Sequence, residues 1–351
     1  MTPPLLLYGA NGYTGRLVLT EALARGVRPI LAGRNGDALR TLAAPHGLEV
    51  RVAALDDAAA MRTALAGTGA VLHCAGPFIH TAAPMLEACL AARVPYLDIT
   101  GEIAVFEAMA AADARAKAAG IAVIPGVGFD VVPTDCLAAH LKARLSGATT
   151  LELAFSGGTG PSHGTAATVI EGMGQGGAVR RGGRITRVPT AWRTRRVEFA
   201  DKPRLCVTIP WGDVSTAFHS TGIPDITTYM ATTPQGLRSL RLMRLAEPLL
   251  RTGFVKGFLR QQLAKRPAGP SAESLGRTRS QVWGEVTDAA GRSVRARLSA
   301  PTGYALTAMS AVRAAERVLA GGIPAGFLTP SRAFGTDFIL ALPDTVREDL
   351  P

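Results

Sequence analysis

Short apolar runs alternate with Ala/Leu-rich segments along the first third of the chain. The runs Leu5–Tyr8, Pro29–Ala32, Glu49–Ala53, Ala70–Cys74, Tyr96–Ile99 and Ala122–Ile124 have the length of strands and are bounded by Gly, Pro and Asp. Between them, Gly15–Ala24, Ala38–Ala44, Asp57–Leu65, Ala82–Ala91 and Phe106–Ala118 are rich in good helix formers. Sustained strand–helix alternation calls for right-handed crossovers and a parallel sheet. The rhythm then changes. A strand-like run at Thr149–Phe155 leads through a helix-like stretch to Met173, and further strand candidates follow at Arg204–Ile209, Thr227–Ala231, Gln281–Thr287 and Ser293–Leu298. The last two flank Asp288-Ala289-Ala290-Gly291-Arg292, which has the composition of a hairpin connection. Their alternation suits an antiparallel sheet with one solvated face. The pattern as a whole predicts an α/β fold in which a parallel-sheet domain is joined to an α+β domain.

Parallel sheets of this kind bind ligands beyond the carboxyl ends of their strands, and each predicted strand end carries a motif. The first is Gly9-Ala10-Asn11-Gly12-Tyr13-Thr14-Gly15, directly after the first strand and opening the first helix. Gly9 permits a sharp turn, Gly12 lets a pyrophosphate approach the backbone, and Gly15 allows close helix–strand packing. The free N–H groups of the helix start then face the phosphates. The second is Leu31-Ala32-Gly33-Arg34-Asn35. Where an NAD site usually has an acidic residue, this chain has Arg34, whose guanidinium suits a ribose 2′-phosphate; the expected cofactor is NADP(H). The third is Leu72-His73-Cys74-Ala75-Gly76-Pro77-Phe78, in which Ala75 and Gly76 leave room for ribose or nicotinamide and Pro77 fixes the loop. Asp56, after the third strand, either reaches an adenine amino group or caps a helix.

Two further motifs, Tyr96–Glu102 and Pro125–Asp135, place carboxylates near the nicotinamide end of such a sheet. Asp98, Glu102 and Asp130 are the candidates for acid, base or substrate anchor, with an inter-strand hydrogen-bond role the alternative for Asp98. Thr134 and Asp135 read as helix caps. None of the five tyrosines is followed four positions later by Lys, so the Tyr-x-x-x-Lys dyad of short-chain dehydrogenases is absent.

Together, "YGANGYTGRLV", "LAGRN", "CAGPF", "YLDITGE" and "GVGFDVVPTD" resemble the saccharopine dehydrogenase-like oxidoreductase family, most nearly the subgroup with trans-acting enoyl reductases. Thr302–Gly335 resembles that family's C-terminal return to the cofactor domain. The resemblance implies a Rossmann-type domain built from both chain ends, residues 1–135 and 301–351. An inserted α+β domain with a mixed or antiparallel sheet would occupy residues 136–300 and cover the nicotinamide end. Carried over onto this chain, the cofactor contacts are Gly9, Asn11, Gly12, Tyr13, Thr14, Arg34, Asn35, Ala75, Gly76 and Pro77; Gly15, Asp56, Cys74 and Phe78 complete the set read from the motifs. Tyr304, His163 and the loop 157–160 are expected near the substrate. The implied activity is NADP(H)-dependent reduction of a C=C, C=O or C=N bond in a small-molecule or acyl substrate. A non-catalytic NADP-binding sensor or scaffold protein, or a membrane-peripheral lipid-modifying reductase, is the alternative.

Composition adds limits. Of the 351 residues, 47% are hydrophobic and 19% charged, and mean hydropathy is +0.19, so a large buried core is available. The four cysteines, Cys74, Cys89, Cys136 and Cys206, have no Cys-x-x-Cys spacing and predict neither a disulfide frame nor a metal site. With no leader-like N-terminus and no unbroken apolar span, the expected location is cytoplasmic, or peripheral to a membrane. The net charge of +11 is concentrated. Residues 178–204 carry nine Lys/Arg against two acids, and residues 237–266 carry eight against one. No aromatic interleaving accompanies them, so nucleic acid is not an expected partner. The first segment reads as an exposed loop with short strands, either a solvated basic surface or a docking patch for an anionic group: a substrate carboxylate, the phosphopantetheine of an acyl carrier or lipid head groups. The second reads as a helix interrupted at Pro248, Gly253 and Gly257, with Arg238, Arg241 and Arg244 on one face and Leu242, Leu245 and Leu249 opposite. Such a helix suits packing on its own domain or across a homodimer, or contact with a membrane surface or an acyl carrier.

Overall fold

In a computed structural model, residues 3–157, 160–265, 268–271 and 278–351 are described. The chain divides into two units: residues 1–130 with 304–334, and residues 131–303 with 335–351.

The first unit is built on β1 (Leu5–Tyr8), β2 (Ile30–Gly33), β3 (Val50–Val52), β4 (Ala70–His73), β5 (Tyr96–Asp98) and β6 (Ala122–Ile124). Every residue of β1, β2 and β4 is buried, which is why these strands are continuous apolar runs instead of alternating ones. Helices Tyr13–Ala24, Gly36–Ala43, Ala58–Leu65, Phe78–Ala92, Ile103–Ala111 and Asp113–Ala119 make the crossovers. The helix expected at Ala82 begins at Phe78, because Glu102 accepts hydrogen bonds from the Phe78 and Ile79 amides. The single helix expected over 106–118 is two, divided at Ala112.

The second unit holds β7 (Ala148–Ser156), β8 (Gly177–Arg181), β9 (Arg184–Val188), β10 (Thr194–Glu198), β11 (Pro203–Thr208), β12 (Asp225–Ala231), β13 (Arg279–Asp288) and β14 (Ser293–Pro301). The chain then returns to the first unit through helix Gly303–Leu319 and β15 (Gly326–Phe327), and goes back to the second for β16 (Val346–Leu350). Among the described residues the first sheet is parallel in the order β15-β6-β5-β4-β1-β2-β3. The second is mixed, in the order β10-β11-β12-β7-β13-β14-β16, with the β8–β9 hairpin attached to β12. Only β7 and β12 run parallel there. In the Asp288–Arg292 hairpin, Asp288 Oδ1 accepts from the Ala290 and Arg292 amides.

The tail is where sequence and structure differ in organisation. The sequence assigns residues 335–351 to the cofactor domain, whereas β16 pairs antiparallel with β14 from Ser299↔Val346 to Arg295↔Leu350. A hydrogen bond from His140 and an ion pair from Arg144, each 2.8 Å to Asp349, fasten it. The division after residue 130 also separates Thr134 and Asp135 from the first unit. They lie inside helix Val132–Arg144, where Thr134 donates to the Val131 carbonyl and Asp135 accepts from Ser220, so neither is its cap.

Much of the basic charge at 178–204 is used internally. Buried Arg180 donates to the Val214 and Gly183 carbonyls and lies 4.2 Å over Phe218. Arg195 pairs with Glu152 and Glu285, and Arg204 pairs with Asp201 at 2.5 Å. His163 opens helix His163–Gly172 in the second unit; residues 158–159 of the neighbouring glycine-rich loop lie outside the described residues. Deleting residues 345–351 is expected to lower the thermal midpoint by roughly 2–4 °C for each kcal/mol lost, as β14 becomes an unpaired edge. NADPH affinity should be retained. Differential scanning fluorimetry with a parallel cofactor titration measures both.

Candidate functional site

The order of the first sheet reverses at β1: the chain runs outward through β2 and β3, then crosses back to β4, β5 and β6. In open parallel sheets ligands bind at such a switch point, here beyond the ends of β1 and β4. Gly9 has φ +85, and a Cβ there would sit 2.8 Å from Ala75 Cβ. Its amide donates to the Ala32 carbonyl at 2.9 Å. At Gly15 a Cβ would come within 2.3 Å of the Gly9 carbonyl oxygen. Side chains are excluded at both positions by backbone proximity. Gly12 is the N-cap of helix Tyr13–Ala24, and no side chain caps that helix start. Its first amides are thus left for an anion, as a pyrophosphate site requires. Asn11 and Gly12 are exposed and Tyr13 and Thr14 half-buried, so all four line an accessible edge. Tyr13 packs edge-to-face on Tyr304 at 5.1 Å, which places the expected Tyr304 against the glycine turn.

Arg34 stands exposed at the end of β2 and forms no hydrogen bond or ion pair among the described residues. Burial raises the Tyr8 phenol above its ordinary value, with Arg34 opposing and Asp56 reinforcing that shift. Both charges therefore lie near the end of β1. The cap of helix Ala58–Leu65 is Asp57, whose Oδ1 accepts from the Ala59 and Ala60 amides. Asp56 is thereby relieved of that role. Asn35 Oδ1 caps the helix Gly36–Ala43 by accepting from Ala38.

At the end of β4, Cys74 and Ala75 are half-buried, Gly76 exposed and Phe78 buried, and the Gly76–Pro77 peptide is cis. Beneath this loop lies His73, which the sequence reading passed over although it ends the strand. It is fully buried among Tyr8, Phe78 and Tyr96, and its Nε2 lies 3.0 Å from Thr81 Oγ1. Burial pushes its pKa down to about 3, so the imidazole is neutral. Thr81 in turn donates to the Ala75 carbonyl at 2.7 Å and so holds the loop.

The three candidate carboxylates converge, with unequal surroundings. Asp98 is fully buried; its Oδ1 accepts from the Thr100 amide at 3.0 Å and the Gly126 amide at 2.9 Å, and its Oδ2 accepts from Tyr96 at 2.5 Å. Burial raises its pKa to about 6, against the pull of those hydrogen bonds. Glu102 spends both oxygens on the Phe78 and Ile79 amides, 2.9 and 2.7 Å away. Asp130 packs against Gly101, where a Cβ would meet its Oδ2 at 2.5 Å. Burial, reinforced by Glu102, raises its pKa to about 7. The loop carrying Asp130 is tied to the returning helix: the Phe129 amide donates to Thr307 at 3.0 Å, and Ser310 donates to the Val127 carbonyl at 2.7 Å.

A parallel sheet with a glycine turn at its switch point, an uncapped helix start beside it and an arginine at the end of β2 defines a dinucleotide-binding unit of Rossmann type. Residues 5–124, which carry β1 to β6, match the family model of the saccharopine dehydrogenase NADP binding domain. A probable mitochondrial saccharopine dehydrogenase-like oxidoreductase of Arabidopsis thaliana is 31% identical over 148 residues, which is 37% of this chain and 33% of that protein. The human saccharopine dehydrogenase-like oxidoreductase is 27% identical over 50% of this chain and 47% of its own length. A trans-acting enoyl reductase of Mycobacterium leprae is 30% identical over 40% of this chain and 36% of its own. The matches thus span between a third and a half of these relatives. The fold extends further: apo saccharopine dehydrogenase (L-Glu forming) from Saccharomyces cerevisiae superposes over 99% of this chain and 100% of that one, with a TM-score of 0.65 at 12% identity.

Asp98 provides a pH test. A carboxyl whose folded pKa lies above its unfolded value takes up protons on folding, so its contribution to stability falls as pH rises from 3.8 to about 6. In Asp98→Asn that component should vanish, and urea midpoints across this range should fall less steeply than in the parent chain. Parallel slopes would contradict the assignment.

Proposed function

We propose that the protein is an NADP(H)-dependent oxidoreductase that reduces a C=C, C=O or C=N bond of a small-molecule or acyl substrate, with Asp130 as proton donor. The observation that carries this reading is the juxtaposition, within one unit, of the cofactor cradle and a carboxyl raised to about pH 7. NADPH held by the glycine turn and Arg34 would supply a hydride to one atom of the polarised bond, and Asp130 would give the proton to the other, so that oxidised cofactor and reduced product result. A proton donor works best when its pKa lies near the working pH, and Asp130, raised to about 7, meets that condition more nearly than Asp98 at about 6. Glu102 has a different task. By binding the Phe78 and Ile79 amides it fixes the Ala75–Pro77 loop and raises its neighbour's proton affinity. The enoyl reductase names among the relatives favour a C=C bond conjugated to an acyl group.

The cofactor half of the reading is tested at Arg34. A charge-assisted contact contributes about 1.5–3 kcal/mol, so Arg34→Asp should weaken NADPH binding by roughly 10–100-fold and bring NADH to equal or better affinity. Fluorescence titration with both nucleotides measures this, and an unchanged ratio overturns it.

The chemical half is tested by NADPH oxidation over a panel of enoyl thioesters, ketones and imines. With the substrate found, kcat/KM in the reducing direction should fall as pH rises through about 7, where Asp130 loses its proton. In Asp130→Asn, kcat should drop ~100-fold or more, with that pH dependence gone and NADPH affinity intact. Tight NADPH binding with no turnover across the panel would instead support a sensor.

A further inference from the structure

Three consecutive helices in the second unit, Pro234–Met243, Glu247–Leu250 and Gly253–Ala264, contain no buried residue. An amphipathic helix of a globular domain normally turns its apolar stripe to the core; here large apolar side chains face outward. Leu242 is 67% exposed, Leu245 83%, Leu249 61%, Phe254 85% and Phe258 52%. The helices nevertheless rest firmly on the unit, and cations do the fastening. Arg244 donates to the Thr190 and Ala191 carbonyls, Arg251 to the Gly174 carbonyl, Lys256 to the Glu171 carbonyl, and Arg260 pairs with the Glu171 carboxylate. Arg244 therefore leaves the exposed basic face that the sequence spacing gave it. Gly257 lies within the last helix and does not interrupt it.

Two arginines remain. Arg238 and Arg241 are exposed and form no hydrogen bond or ion pair among the described residues. Of the acidic residues only Glu247 lies on these helices, and it accepts a hydrogen bond from Thr190 at 2.6 Å. The surface thus combines outward Leu and Phe side chains with unpaired guanidinium groups. A second copy of the same face would meet it with like charge, which disfavours self-association. Its complement is a surface with anionic groups at its boundary and an apolar interior beneath, into which Leu and Phe insert while Arg meets phosphates. We propose that residues 234–264 dock the protein on the surface of an anionic lipid bilayer. No helix among the described residues is long and apolar enough to cross a membrane, so the contact is interfacial. The proposal stands on this patch alone and is independent of the reaction assigned to the first unit.

The full chain is to be co-sedimented with vesicles of phosphatidylcholine alone and with equimolar phosphatidylcholine and phosphatidylglycerol. Binding is expected to the anionic vesicles only, weakening as salt is raised. The paired change Phe254→Ser with Phe258→Ser should reduce it at least ~10-fold, because each lost ring forfeits apolar burial in the bilayer. Arg238→Glu with Arg241→Glu should do the same without touching the apolar residues. Thermal midpoint and NADPH affinity should be unchanged in both, as every substituted side chain is exposed. Absence of binding to anionic vesicles overturns the proposal, as does equal binding to both vesicle types. So does a dimer, seen by light scattering, that the Phe254/Phe258 changes dissociate. Binding to an acidic acyl-carrier protein but not to vesicles would overturn it in favour of a protein partner.

Discussion

The carboxyl end of the first sheet depends on one buried carboxyl group. Asp98 receives amides from two different loops and a phenol from its own strand, and its carbonyl accepts from the Val127 amide at 2.8 Å. Taking such a group out of water is costly unless its lone pairs are filled. Here four donors converge on one residue, and in being satisfied they set the course of Thr100–Glu102 and of Gly126–Asp130. Glu102 and Asp130 owe their places to that arrangement. A carboxylate three hydrogen bonds deep is a poor proton shuttle and a good anchor.

The same logic divides labour among the acidic residues. Asp57 spends its Oδ1 and Glu102 both its oxygens on helix amides, while the cap of helix Ala58–Leu65 leaves Asp56 outside that role. Asp56 and Asp57, neighbours in sequence, thus differ because only Asp57 caps the helix start. His73 extends the argument to the floor of the site. Burial keeps it neutral, so it supports the Ala75 loop through Thr81 without adding positive charge to the floor of the site.

What was legible in the sequence follows from how local the determinants are. The strands of the first unit are short apolar runs closed by turn residues, and they fall within a residue or two of their expected places; the glycine turn and Arg34 sit at strand ends that the pattern alone locates. β16 is Val-Arg-Glu-Asp-Leu, a polar edge strand with little hydrophobic signal, and its membership in the second unit is decided by partners some fifty residues away. The rank of the three carboxyls was equally hidden, since it depends on burial and on amides from other loops. Residues 178–204 looked like a free basic surface because a sequence shows charge but not the carbonyls and carboxylates that absorb it.

The chain passes between its two units at residues 130, 303 and 334. On a ribosome, β1 to β6 emerge early, but the helix that holds Phe129 and Val127, and the strand that completes the sheet, come only after the whole of β7 to β14 has been made. A nascent cofactor domain therefore waits, open along the β6 edge, until residues 304–327 arrive. A chain stalled midway therefore leaves β6 unpaired along the side that β15 covers in the full chain, and lacks the helix whose Thr307 and Ser310 hold the Val127–Phe129 loop.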